Sequence, residues 1–392
     1  MGSKDEATAD TIEKLETIAA ELGDIRRAKE YGLWRPDAIG RLDAALSCVA
    51  PFQTYAERWI FTGDGQGQSV RNLFGEWVID FLLGGLPPGD VIAAFQAEAG
   101  RNECDYVEVL PTFGARFDRE CELEPGVTLI PAADAPCWWR GRLARPFTIA
   151  THLPTEDTGY LRLDFRVRPA FEPLAAGSTA PAGASETLPG AAFRDEVRLR
   201  LRRACILAGR GPVELPASFF EPARPSPFAG GEGNLTIRPI PTYPRTAAPV
   251  ESEAARIAYS RLGAFAQPEA IERATDRLGR ARHAVAAADQ ALELGIAAEI
   301  AFMHGDRSER EDVALKIATR AAALLGSDAA ERAGIFRDMK RLYNARSRAV
   351  HSGKLPSKLR VDLHDGDRLV TQALNSLLAH GRFPDWSALT VG

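Results

Sequence analysis

Cysteine is scarce and scattered in this chain of 392 residues. Cys48, Cys104, Cys121, Cys137 and Cys205 form no C-x-x-C pair and no repeated spacing. An odd, dispersed set excludes a disulfide framework and reads as reduced thiols in a cytoplasmic protein. It also excludes a cysteine-based zinc site, and His283, His304, His364 and His380 have no spacing suited to a metal. No metal and no cofactor is therefore expected. Long apolar runs are missing too, so no membrane partner is expected. The polar, acidic start lacks the pattern of a signal peptide. Nor is there an excess of positive charge, because the net charge is −5. A nucleic-acid site would have to be a local patch, not a whole-molecule field.

What is present is ordinary for a globular protein: 45% hydrophobic and 26% charged residues, enough to build sizeable cores. The length suits two or three domains. Arginine outnumbers lysine and alanine is abundant, a composition typical of a GC-rich bacterial genome.

The chain reads as multidomain α+β in three regions. Residues 1–100 are helical in pattern, with Ile12, Leu15, Ile18, Leu22 and Ile25 at helical spacing. Further helices are predicted over 38–61 and 69–83, and a short one from Val91 after Pro87-Pro88-Gly89. Residues 101–250 are β-rich with Pro/Gly-rich linkers at 169–190 and 222–249. Strands are predicted at 106–110, 127–130, 147–150 and 160–167, with possible continuations at 213–215 and 235–237. Residues 193–208 fit either a strand with a basic face or a helix covered by arginine stems. Residues 251–392 are helical again, with helices predicted at 251–263, 268–303, 309–325, 330–351 and 366–380. Asp328 is the N-cap of the fourth, and Gly353 and Pro356 are its stop signal.

The informative residues are charges set in apolar stripes. In the fourth C-terminal helix the stripe is Ile335, Met339, Leu342 and Ala349, and Arg346 falls on the same face. In the third, Val313, Ile317, Ala321 and Leu324 form the stripe; Arg320 lies within it, with Lys316 and Asp312 one and two turns back. In the second, Leu292, Ile296, Ile300 and Met303 are flanked by Glu293 and Glu299. Packing these helices would bring acids and bases to a shared seam. Two readings stay open: a structural ion-pair network or oligomer interface, and a catalytic or anion-binding groove.

His351, five residues after Arg346 at the predicted helix end, favours the second. A helix C-terminus stabilises the imidazolium, which suits a group that moves protons near neutrality. RNA cleavage without metal needs such a group for the 2′-hydroxyl or leaving-group proton. It also needs a guanidinium for the charge on the phosphorane-like transition state. Between Glu331 and Arg360 stand nine bases, among them Arg348 and Lys354, against two acids: a net +7 inside an acidic protein.

Other candidates carry less. Gly63-Asp64-Gly65-Gln66-Gly67 lacks the Gly-Lys-Ser/Thr ending of a phosphate loop and reads as a turn. His152 has no ligand neighbours, Cys137-Trp138-Trp139 reads as core or surface patch, and Arg198–Arg203 as a solvated face.

The segment Leu342-Tyr343-Asn344-Ala345-Arg346-Ser347-Arg348-Ala349-Val350-His351-Ser352-Gly353 resembles the signature of the HEPN superfamily, in particular its Apea-like branch. Ala291-Leu292-Glu293 resembles an upstream element of that branch. Asp312 to Gly326, with Lys316, Arg320 and Leu324-Leu325-Gly326, resembles its next helix. Ser352 intervenes where His-Gly is usual, and Asp312 stands where Glu is commoner.

The resemblance covers about 270 to 380 and implies a C-terminal all-α HEPN-like helical bundle that forms a homodimer. It implies a metal-independent endoribonuclease, with His351 as general acid/base, Arg346 on the phosphate and Glu293 orienting or pairing them. Arg320, Lys316, Arg348 and Lys354 would bind RNA. Such proteins commonly act as toxins or abortive-infection effectors in antiviral defence, released by a regulatory protein or a phage-derived trigger. The alternative is a catalytically silent HEPN-like dimerisation or partner-binding module.

Overall fold

The computed structural model describes residues 86–99, 104–136, 158–167, 191–223, 247–305, 312–355 and 363–391 without interruption. It also describes short pieces at 12–13, 15–17, 46, 52–53, 58–61, 67–69, 75, 77–78, 82, 139, 170–173 and 236–237. Strands β1 (Arg58–Phe61) and β2 (Gly67–Ser69) precede helix α1 (Pro88–Ala99). Strands β3 (Cys104–Thr112), β4 (Ala115–Phe117), β5 (Cys121–Glu124), β6 (Val127–Ile130), β7 (Gly159–Val167) and β8 (Ala170–Pro173) follow. Next come α2 (Ala191–Ala208), β9 (Ala217–Pro222), β10 (Thr236–Ile237) and β11 (Ala248–Val250). After these the described chain is helical: α3 (Ser252–Ala264), α4 (Pro268–His283), α5 (Ala287–Met303), α6 (Val313–Leu325), α7 (Ala329–Ser352), α8 (Leu363–His380) and α9 (Trp386–Val391). The fold class is thus mixed α+β. Among the described residues no helix is long and apolar enough to cross a membrane.

Two compact units are present, and each is assembled from separated stretches of chain. The first comprises Met1–Val109, Leu163–Arg194 and Ser218–Thr236. In it β1 pairs antiparallel with both β2 and β8, so Trp59 stands opposite Ser69 on one side and Glu172 on the other. The last four residues of the helix predicted over 38–61 are instead a strand, and most of 38–57 lies outside the described residues. Trp59, Ile60 and Phe61 are residue types that suit a pleated surface. Helix α1 buries Val91 and Phe95, whose ring lies 3.9 Å from that of Phe52 and 5.8 Å from that of Trp77. In β3, Val107 faces Glu221 of β9 and Val109 faces Phe219. Glu108 is completely buried and lies 3.7 Å from the Arg194 guanidinium.

The second unit comprises Leu110–Arg162, Asp195–Ala217 and Ile237–Gly392, which places β-strands and the C-terminal helices in one body. Strands β5 and β6 form a hairpin with Cys121 opposite Leu129, and Gly126 supplies a turn position at φ +80°. Strand β11 runs parallel to β4. The strand predicted at 213–215 is reduced to a single bridge between Phe113 and Glu214. The ambiguous stretch 193–208 is helical in α2. Val197, Leu201, Ala204 and Cys205 recur at helical spacing and are fully buried, which outweighs the apparent alternation.

Helices α4 to α8 form a bundle in which α5 packs against α4, α6, α7 and α8. The single helix predicted over 268–303 is two. Ala284 and Ala286 are extended, and Val285 between them is 97% exposed. The break has a local electrostatic counterpart. Arg280, Arg282 and His283 close α4, and Asp289 opens α5, each on the favourable end of its helix. Helix α7 starts as its capping residues predict. The Asp328 carboxylate accepts from Glu331 N–H at 2.8 Å, and the Glu331 carboxylate accepts from Ser327 N–H and Oγ–H. Gly353, at φ +65°, ends it.

The face of α5 differs from the predicted stripe. Ala291, Leu294, Gly295, Ala297, Ala298, Ala301 and Phe302 are buried, whereas Leu292, Ile296, Ile300 and Met303 are only half-buried. The small residues allow neighbouring helices to approach closely, so the bulkier side chains are left along the grooves.

Candidate functional site

Helix α7 buries Ile335, Met339, Leu342, Ala345 and Ala349. Arg346 follows Ala345 at the margin of this face, with its side chain 27% exposed. Its Nη2 lies 3.2 Å from the Glu299 carboxylate of α5. The guanidinium carbon is 5.4 Å from the centre of the Tyr343 ring, and Tyr343 Oη–H donates to Glu299 at 3.4 Å. The Arg346 stem crosses α5 at Gly295, where any Cβ would overlap it. Its Nε is buried and has no hydrogen-bond partner among the described residues. The guanidinium is thus fixed by a carboxylate and an aromatic face while one donor stays unused.

Glu293 does not join Arg346. It accepts from Arg277 of α4 at 3.0 and 3.1 Å. Six residues separate Glu293 from Glu299, which turns them about 120° apart on α5, and only Glu299 faces α7. His351 is exposed in the last turn of α7. Five residues of helix put it about 140° around and 7.5 Å along from Arg346. One copy of the chain therefore places the pair on different faces of α7.

Arg320 turns to the end of α5, where its Nη1 donates to the Phe302 carbonyl at 2.7 Å. Its guanidinium carbon is 5.6 Å from the centre of the Trp386 ring. This satisfies a helix-terminal carbonyl that has no partner in its own helix. Lys316 is half-buried one turn earlier in α6, which begins at Asp312 in the left-handed region (φ +53°). Arg348 and Lys354 are exposed on the last turns of α7 and just beyond it. In the basic segment Arg332 donates to the Gly326 carbonyl, Arg341 pairs with Asp338 and Lys340 lies over Phe336. Lys358 and Arg360 lie outside the described residues, as do Gly63–Gln66, Cys137, Trp138 and His152.

The arginines of 198–203 point to acids. Arg202 bonds Glu214 and Asp276; Arg203 bonds Asp276 and Glu272. His283 lies 3.0 Å from Glu214. Burial works against ionised Glu214, but bonds from His283 and Arg202 outweigh it and hold this carboxyl below the usual carboxylate range. His304 stacks on Phe383, His364 lies 3.5 Å from Arg210, and the ring Nδ1 of His380 is 2.7 Å from the Ser376 carbonyl oxygen. Among the described residues no group of three or more His, Cys, Asp or Glu is placed to hold a metal ion.

Sequence reasoning named Glu299 only as a flanking charge and gave Gly295 no role. A glycine inside an alanine-rich helix was the available signal for a close crossing. No protein-family model, no curated protein and no solved structure matches the chain.

Proposed function

We propose that this protein is a metal-independent endoribonuclease of HEPN type, whose helices α4 to α8 are the HEPN-like bundle and whose working groups are Arg346 and His351. The observation that carries the reading is the state of Arg346. It is an arginine at the edge of a packed helical face, held beside Glu299 and over Tyr343, with its side chain still 27% exposed. Such a preorganised guanidinium suits a phosphate whose charge grows in the transition state.

His351, exposed to solvent, takes the 2′-hydroxyl proton. The 2′-oxygen attacks the adjacent phosphorus, the P–O5′ bond breaks, and the leaving 5′-oxygen takes a proton from solvent water, while the proton on His351 returns to solvent. The products are a 2′,3′-cyclic phosphate and a 5′-hydroxyl end. Arg346 and His351 occupy different faces of one helix, so the working site is completed across a homodimer, His351 of one copy beside Arg346 of the other. Glu299 takes the orienting role first given to Glu293. Lys316, Arg320, Arg348 and Lys354 remain the RNA-binding set. In this reading the protein is a cytoplasmic bacterial toxin or abortive-infection effector, restrained or triggered by a regulatory protein or a phage-derived signal.

The test is cleavage of RNA in EDTA by wild type, His351→Ala and Arg346→Ala. Cleavage by wild type that both variants lose supports the reading. Absence of cleavage of any RNA, with no effect of expression on growth, refutes it. One observation favours a second reading, a silent dimerisation or partner-binding module: Glu299 already sits on Arg346. A silent module would still dimerise and would leave every RNA intact.

A further inference from the structure

Helix α4 carries Arg273, Arg277 and Arg280 at steps of four and three, so they share one face. With Asp276 they line a cavity of about 290 Å³ whose apolar part is Ile296 and Ile300 of α5. That volume is at the small end of ligand-sized pockets. Its positive charge is only partly consumed internally. Arg277 is held by Glu293, and Asp276 is held by Arg202 and Arg203. Arg273 reaches only the Glu269 carbonyl of its own helix, and among the described residues no carboxylate pairs with Arg273 or Arg280.

Two unspent guanidiniums beside an apolar floor match a ligand that is both anionic and apolar. A nucleotide unit has that character, with a phosphate for arginine and a base for the isoleucines. Arg273 and Arg280 are about 10 Å apart along the helix axis. They are strung out like the charges of an extended strand rather than gathered about one small anion. The floor residues share helix α5 with Glu299, the carboxylate beside Arg346. Glu299 stands between Ile296 and Ile300 on α5, within one helical turn of both.

We infer that this groove binds the nucleotide of a single-stranded RNA next to the one at Arg346, with phosphates on Arg273 and Arg280 and the base over Ile296 and Ile300. The inference rests on the ribonuclease reading of Arg346, and its test is independent of cleavage. A short fluorescent RNA with 2′-O-methyl riboses cannot be cut, and its binding is followed by anisotropy across a salt series. The variant is Arg273→Gln/Arg280→Gln. Both residues are exposed, so the fold is kept, which a thermal melt verifies. The control, Arg261→Gln/Arg382→Gln, removes the same charge from exposed positions elsewhere.

The groove variant binds at least tenfold more weakly than the control. Its log–log salt slope falls by about 1.4, the value for two phosphate contacts on a single strand. Equal effects of the two variants overturn the inference. So does displacement of the strand by micromolar AMP, because the groove would then hold a free mononucleotide. Cleavage in EDTA without this binding difference sinks the groove alone. Binding with no cleavage of natural RNA sinks the catalytic reading alone.

Discussion

Gly295 of α5 lies directly beneath the side chain of Arg346 in α7, and a methyl group there would overlap the arginine Cβ and Cγ. The crossing of these helices and the position of the guanidinium depend on the same missing side chain. Replacing a helical glycine by alanine in open space gains about 0.5–1 kcal/mol. Gly295→Ala instead loses about 1–3 kcal/mol through overpacking and moves Arg346. At Gly334 in α7 a Cβ would meet only the Arg337 Nη2 at 4.0 Å, an ordinary contact, so Gly334→Ala shows the usual gain. Urea unfolding of the two variants gives opposite signs; the same sign for both would show that α5 and α7 do not cross so closely.

The carboxylates of α5 have separate partners, and substitution separates them. Glu299→Gln removes the ion-pair partner of Arg346, a part-exposed contact at 3.2 Å worth about 1 kcal/mol, and lowers the cleavage rate roughly fivefold. Glu293→Gln leaves the rate nearly unchanged, because its partner is Arg277. Single-turnover cleavage of one RNA by both variants is the measurement. A larger loss for Glu293→Gln would restore that residue to the orienting role.

Arg282 is the best-buried guanidinium among the ion pairs of α4, with its side chain 3% exposed. It bonds Asp367 through Nε and Nη2, Thr371 through Nη2, and the carbonyls of Ile206 and Gly209 through Nη1. Arg282→Ala removes the partner of Asp367 and is expected to cost about 3–5 kcal/mol. Arg280→Gln, two residues earlier and exposed, changes stability by less than about 0.5 kcal/mol. Denaturant midpoints at constant slope report both.

Glu214 makes stability depend on acid pH. Its carboxyl is held below the usual range by His283 and Arg202 against the opposing effect of burial. A depressed folded-state pKa gives stability that is fully present above the unfolded carboxylate value of about 4.3. It is lost as pH falls through the folded value. Unfolding free energies of wild type therefore decline below about pH 4 more steeply than those of Glu214→Gln. Parallel curves would show that this carboxylate is not held by its partners.

Local chemistry was legible in the sequence where it is self-sufficient. Asp328, Glu331 and Gly353 bound α7 because a cap acts within one turn of its own helix. The spacing of Ile335, Met339, Leu342 and Ala349 identified the packed face of α7 and put Arg346 at its edge, since period alone decides which residues share a face. The same logic failed for α5. Its bulky residues look like the core stripe, yet the alanines are buried, because helices on several sides select for close approach rather than for hydrophobic bulk.

Neither the break at Ala284–Ala286 nor the choice of Glu299 over Glu293 could be read locally. Both depend on α4 folding back on α5 and on which side of α5 then receives α7. The sequence by itself determined the α+β character, the helix caps and the basic, arginine-bearing face of α7, each a matter of period and near neighbours. Only the tertiary structure decided which carboxylate holds Arg346, that Gly295 lies beneath it, and that Arg273 and Arg280 stand beside Ile296 and Ile300. Those relationships join residues from different helices, and the direction a side chain faces across a packed interface is set by the neighbour it meets.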